Sequence, residues 1–213
     1  MSKISLKHTS GKVVSLNVPT TEPTATDVAF KLPNTDGSAG QGLKTDGSGT
    51  LSFATLGISE VDQYRMSSNV TNSGNDATIT PWERMGTSIH AASAVPHGTG
   101  MSVSSGIFSF PITGKYLIIL KMAVDCGVDD NVQIYIKVTT NNSSYTTLTG
   151  ATDGQNGGSG TRAGSGTAIG FIDVTDTSQV KVLFHADSIG SNSQLKGGTA
   201  EGTDVIFIRL GDT

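Results

Sequence analysis

A chain of 213 residues with net charge −4 and a pI near 5.4 carries no basic footprint for nucleic acid. Its single cysteine, Cys126, excludes an intrachain disulfide framework and a cysteine-built zinc site. No apolar stretch reaches the roughly 18 residues that a membrane span needs. With 27 glycines, 15% charged residues and abundant Ser and Thr, the composition favours strands and tight turns over helices.

The N-terminus, Met1-Ser2-Lys3-Ile4-Ser5-Leu6, has no apolar signal-peptide core, so synthesis in a cytoplasm without export is expected. Residues 1–56 differ from the rest. Val13–Pro19 and Val28–Pro33 alternate apolar and polar residues, as short half-buried strands do, and each ends at a proline. Thr-Asp-Gly-Ser then occurs at 35–38 and again at 45–48, and Asp-Gly is a two-residue turn signal. The segment has too few large apolar residues to fold alone, because an isolated hairpin is marginal in water. It is expected to be ordered by identical chains or by a docking partner.

Residues 57–68 read as a junction holding a short helix over Gly57–Met66, with Ser59 as its cap and Asp62 three residues on. A second domain is expected over 69–213, entered through a turn-rich stretch in which Trp82 anchors the packing. Strands are predicted at Gly106–Ile112, Lys115–Val124, Val132–Thr139, Tyr145–Leu148, Thr167–Val174, Gln179–Ala186 and Thr203–Leu210. Val132–Val138 and Val180–His185 alternate cleanly, with one face in a core and one outside. Lys115–Val124 is apolar on both faces through Leu117, Ile118, Ile119 and Leu120. Such a strand needs cover on both sides, and in a sandwich the second cover comes from another subunit. Gly150–Gly166 is expected to be a long surface loop. Cys126, after the apolar run, is expected as a buried structural thiol.

Catalytic chemistry is hard to find. His8, His90, His97 and His185 show no metal-ligand spacing. His185 with Asp187 and Ser188 invites a triad, but on a strand Ser188 points away from the other two. Gly164–Gly170 misses a phosphate-binding glycine pattern by one position and leads into a strand. Asp125, Asp129 and Asp130 surround a turn; they could bind Ca²⁺ through oxygens, while a solvated acidic turn is the commoner outcome. Asn69-Val70-Thr71 and Asn142-Ser143-Ser144 match the glycosylation pattern, which Ser/Thr-rich chains produce by chance. The expectation is a protein without enzymatic activity, cofactor or metal.

Two segments carry a resemblance. Gly106-Ile107-Phe108-Ser109-Phe110-Pro111-Ile112-Thr113-Gly114-Lys115-Tyr116 resembles the C1q/TNF-like pattern of an apolar strand, a Pro-x-x-Gly-x-Tyr turn and a following strand. Gly197–Leu210 resembles that family's last strand. The resemblance covers about residues 65–213. It implies an all-β, ten-stranded jelly-roll sandwich that trimerises around an apolar axis. Phe30-Lys31-Leu32-Pro33 and the Asp-Gly-Ser runs, over about 10–55, resemble the N-terminal regions of fibre-like virion proteins of cyanophages and other marine phages.

Together these imply a homotrimeric phage virion protein, a fibre or capsid decoration protein, located in the virion. The N-terminal segment would dock to other capsid or tail proteins and the head would project outward. Tyr116, Ile118, Leu120 and Phe207 are the residues expected at the trimer axis. The competing reading is a receptor- or glycan-binding module in host adhesion, with ligand contacts from Asp125, Asp129 and Asp130 or from the Gly150–Gly166 loop. Neither nucleic acid nor a membrane is expected as a partner.

Overall fold

The structure, a computed structural model, describes residues 3–17, 19–21, 23, 28–71, 77–86, 96–187, 189–198 and 202–213. His90 and Ser188 lie outside these. Every regular element among the described residues is a strand. The chain falls into two compact units, Met1–Leu56 and Gly57–Thr213.

The first unit holds two antiparallel hairpins. β1 (Lys3–Lys7) pairs with β2 (Val13–Asn17), and β3 (Gln41–Thr45) pairs with β4 (Leu51–Thr55). The predicted strand at 28–33 is reduced to one parallel bridge, Lys31 to Thr50. The second Asp-Gly pair does not make a two-residue turn. It sits in a five-residue connection, where the Asp46 carboxylate accepts hydrogen bonds from the amides of Ser48 (2.7 Å) and Thr50 (3.0 Å). Those bonds hold the Asp46 carboxyl below its ordinary pKa. Gly47 and Gly49 take φ of 81° and 88°, which a side chain disfavours. Where burial is described, no residue of this unit is buried.

The second unit is a two-sheet sandwich of β5 (Val61–Met66), β6 (Val70–Thr71), β7 (Ala77–Thr78), β8 (Trp82–Arg84), β9 (Ser102–Ser104), β10 (Ile107–Ser109), β11 (Gly114–Cys126), β12 (Asp130–Thr139), β13 (Thr146–Gln155), β14 (Arg162–Val174), β15 (Lys181–Asp187), β16 (Gln194–Leu195) and β17 (Asp204–Gly211). One sheet runs β13-β12-β15-β10-β9, with β7 extending the β10 edge of β15. The other runs β14-β11-β17-β5-β8, with β16 and β6 continuing beside the far end of β11. All pairings between named strands are antiparallel, and the two sheets contribute five principal strands each. This is the all-β sandwich that alternation and turn content predicted.

Two expectations need correction. Residues 61–66 form β5 rather than a helix, hydrogen-bonded between β17 and β8, so the sandwich begins before residue 69. The strand alternation is disguised because its inward series starts with a charge, Asp62, only 3% exposed. Asp62 is satisfied from a distance: it accepts from the Met101 amide at 2.7 Å and pairs with Arg84 at 3.1 Å. Residues 150–166 are not a long loop. β13 and β14 are strands joined by a short connection at 156–161 that crosses between the sheets, β13 in one and β14 in the other. Glycine permits the crossing: a Cβ on Gly170 would strike the Leu148 side chain, and one on Gly164 would strike Asp153.

The core is aromatic at its centre. Phe108 is fully buried, with Tyr64, Trp82, Phe184 and Phe207 rings between 5.0 and 5.7 Å away. Trp82, the expected anchor, donates its indole N–H to the Ile79 carbonyl at 2.9 Å. Cys126 is buried with a raised thiol pKa, chiefly from desolvation. Phe108→Ala should cost about 3–5 kcal/mol by removing the ring on which four others pack; chemical denaturation of the full chain measures it.

Tyr116 donates its hydroxyl to the Ile112 carbonyl, and burial, assisted by the Glu60 charge, pushes its phenol up to about 12. The folded state keeps this proton where an unfolded tyrosine loses it, at about pH 10. Its contribution is therefore full below pH 10 and is lost as pH rises towards 12. Tyr116→Phe should flatten the alkaline fall in stability across that window, read by thermal melts at stepped pH.

Candidate interaction surfaces

β11 has two apolar faces because its even- and odd-numbered residues point in opposite directions. Tyr116, Ile118, Leu120 and Met122 face inward and are at most 1% exposed. Leu117 and Ile119 face outward. The register extends this outer face into rows across four strands. Phe171, Leu117, Ile208 and Val61 form one row; Ile169, Ile119, Ile206 and Gln63 form the next. Ile169 is 59% exposed and Phe171 51%. The third row is charged: Lys121 pairs with Asp204 at 2.7 Å, and Arg65, beside Asp204 in the register, pairs with Glu83 at 2.5 Å. One sheet thus presents a continuous apolar patch bounded by ion pairs.

The outward face of the other sheet is polar. Tyr135 stands opposite His185, and Gln133 opposite Asp187. His185 shares a hydrogen bond with Thr78, 2.9 Å from its Nε2, which accounts for it structurally.

The residues assigned to a trimer axis are misplaced by this geometry. Tyr116, Ile118, Leu120 and Phe207 are 0–1% exposed and pack inside one sandwich, so a second subunit has no access to them. The outward set is Leu117, Ile119, Ile169, Phe171, Ile206, Ile208 and Val61. The doubly apolar run of β11 supplies residues to both the inner and the outer face.

The three ligand-loop aspartates come together with the 156–161 connection at one end of the sandwich. The Asp129 carboxylate accepts from the Gly157 amide at 2.8 Å. Asp130 accepts from the Ser193 hydroxyl and from the Gly190 amide at 3.2 Å. Asp125 accepts from the Gln194 amide at 2.8 Å, with the Lys196 ammonium 3.8 Å away. Arg162 bridges Asp153 and the Gly154 carbonyl. Each carboxylate is thus engaged by its own local donors, and no group of three metal-ligating residues occurs among the described residues. Two polar recesses flank this knot, one of about 420 Å³ beside Asp125 and Gln194, one of about 510 Å³ beside Asp129 and Asn156.

No family model matches the chain, and no curated protein matches it. Solved structures do. The crystal structure of murine APRIL at pH 5.0 superposes with a TM-score of 0.53 over 71% of this chain and 98% of that one, at 12% identity. A TNF structure, Eiger from S. frugiperda, superposes with a TM-score of 0.55 over 72% and 93%, at 16% identity. At these identities the likeness is one of fold: the chain contains a TNF-like jelly roll.

Asp130→Ala should leave the Gly190 amide without its acceptor, at a cost of about 1 kcal/mol. The expected outcome is faster amide exchange over 189–193 with the core strands unchanged, read by hydrogen exchange.

Proposed function

We propose that this protein is a non-enzymatic, homotrimeric structural protein of a phage particle, a fibre or a capsid decoration protein. The observation that carries the trimer is the open apolar face of β14, β11, β17 and β5. A largely apolar patch across four strands is costly to leave in water, and a jelly-roll sandwich of this type offers identical copies as its cover. The occupant is therefore two further copies of the same chain. The charged row of Lys121, Asp204 and Arg65 borders the patch and would set the register of the copies, since a slip would lay apolar side chains on paired charges.

The first unit supports the docking part of the reading. Leu16, Phe30, Leu32, Leu43 and Leu56 are 54–75% exposed there. Such a segment gains its order from what it lies against, and capsid or tail proteins are the partners its sequence resemblance favours. A virion location follows from the same reading. Recognition of a host receptor or glycan is the second reading, favoured by the polar recesses at the end of the sandwich; both roles fit one particle protein.

Sedimentation of the full chain should give a species of three times 21.9 kDa. Ile169→Asp with Phe171→Asp should release folded monomers, because both side chains lie outside the core. A wild-type monomer would sink the reading. Immunogold labelling of intact particles tests the virion assignment, and absence of label from purified particles would overturn it.

A further inference from the structure

We propose that the recess beside Asp125 is a binding site for a neutral polyhydroxylated ligand, a saccharide. This rests on the second reading above, recognition by the sandwich unit, and names the site and ligand class for it. The recess holds about 420 Å³, within the roughly 300–1,000 Å³ of small-molecule sites. Those sites are mostly apolar; this one is not. Asp125, Gln194 and Thr71 stand side by side on neighbouring strands, and Thr161, Ser191 and Asn192 close it from two loops.

Carboxylate, amide and hydroxyl groups together offer both donors and acceptors. A sugar hydroxyl both donates and accepts, so this lining matches it group for group. Competing ligand classes fit less well. An anion meets the Asp125 carboxylate and no cationic side chain in the lining. A divalent cation meets one carboxylate only, with the Lys196 ammonium 3.8 Å from it. An apolar ligand has no apolar wall.

The wall is also held in position before any ligand arrives. The Gly197 amide donates to the Asn69 side-chain oxygen at 2.9 Å, the Asn69 amide donates to Gln194 at 2.9 Å, and the Gln194 amide donates to Asp125 at 2.8 Å. This relay fixes the direction of both amides, and a carboxylate that accepts one hydrogen bond keeps capacity for others. Preorganised polar groups reduce the ordering cost of binding. Among the described residues no aromatic ring lines the recess, so affinity for one saccharide should be weak. The site lies six residues along β11 from Ile119, on the same face of the strand and roughly 20 Å away at ~3.3 Å per residue, beyond the apolar rows. In a cyclic trimer all three recesses point to the same end, which favours repeating polysaccharides.

The test is a glycan array probed with the full-length protein, followed by saturation-transfer NMR on the best neutral saccharide. Binding should fall at least tenfold in Asp125→Ala and in Thr161→Trp, while Tyr135→Ala, on the polar face of the other sheet, binds as wild type. Thr161 is exposed on the 156–161 connection, so its replacement fills the recess without touching the core. No binding to any neutral glycan overturns the proposal; binding confined to charged glycans leaves the recognition reading standing, and no binding to any glycan overturns its glycan part as well. Binding that survives Asp125→Ala and Thr161→Trp, or that is lost in Tyr135→Ala alone, overturns the recess and leaves recognition standing.

Discussion

The structure depends on one strand that is apolar on both faces. β11 runs for 13 residues at the middle of its sheet, with β14 paired along its whole length and β17 and β16 sharing its other edge. Its inner face demands a second sheet, and β10, β12 and β15 supply it through Phe108, Ile134, Ile136 and Phe184. Its outer face makes the same demand, and nothing within the described chain answers it. Burial of apolar surface is the main driving term in folding and in association alike. The sequence that closes the sandwich therefore also leaves an apolar surface outside it.

The same strand shows what could be read from sequence and what could not. That β11 needed two covers was visible in Leu117 to Leu120, because no alternation hides four consecutive large residues. Which face would turn inward was not visible. A side-chain period of two means that a shift of one residue exchanges the faces, and Tyr116, Ile118 and Leu120 look no more exterior than Leu117 and Ile119. The choice is made by neighbours: Ala168 and Gly170 on β14 are small and face inward, while Ile169 and Phe171 are large and face out. Strands β12 and β15 were legible because their alternation is clean.

Elsewhere the missing information was tertiary. Glu60 and Asp62 are 7% and 3% exposed, and they accept amides from Thr99, Gly100 and Met101. A buried carboxylate reads locally as a surface residue, and only donors about 40 positions away make it a core one. The Gly/Ser/Thr run of 150–166 likewise reads as loop by composition. It is strand because its glycines admit neighbours too close for a side chain. The polar end of the sandwich was only half legible: the aspartates were visible, but their meeting with the 156–161 connection depends on how β13 and β14 cross between sheets. The first unit stands apart from this logic. Its hairpins are held by backbone pairing and by turns such as that of Asp46.

The pairing of β5 with β17 has a mechanical consequence. Val61 lies opposite Ile208, and the Arg209 amide donates to the Glu60 carbonyl at 2.9 Å, so the sandwich unit's two ends leave it side by side. Tension applied between those ends would act across neighbouring antiparallel strands and open their hydrogen bonds one at a time, as a zipper opens. Strands loaded along their length resist as a group; strands peeled apart do not. Pulled from those two ends, the unit would be a poor link in the middle of a loaded chain.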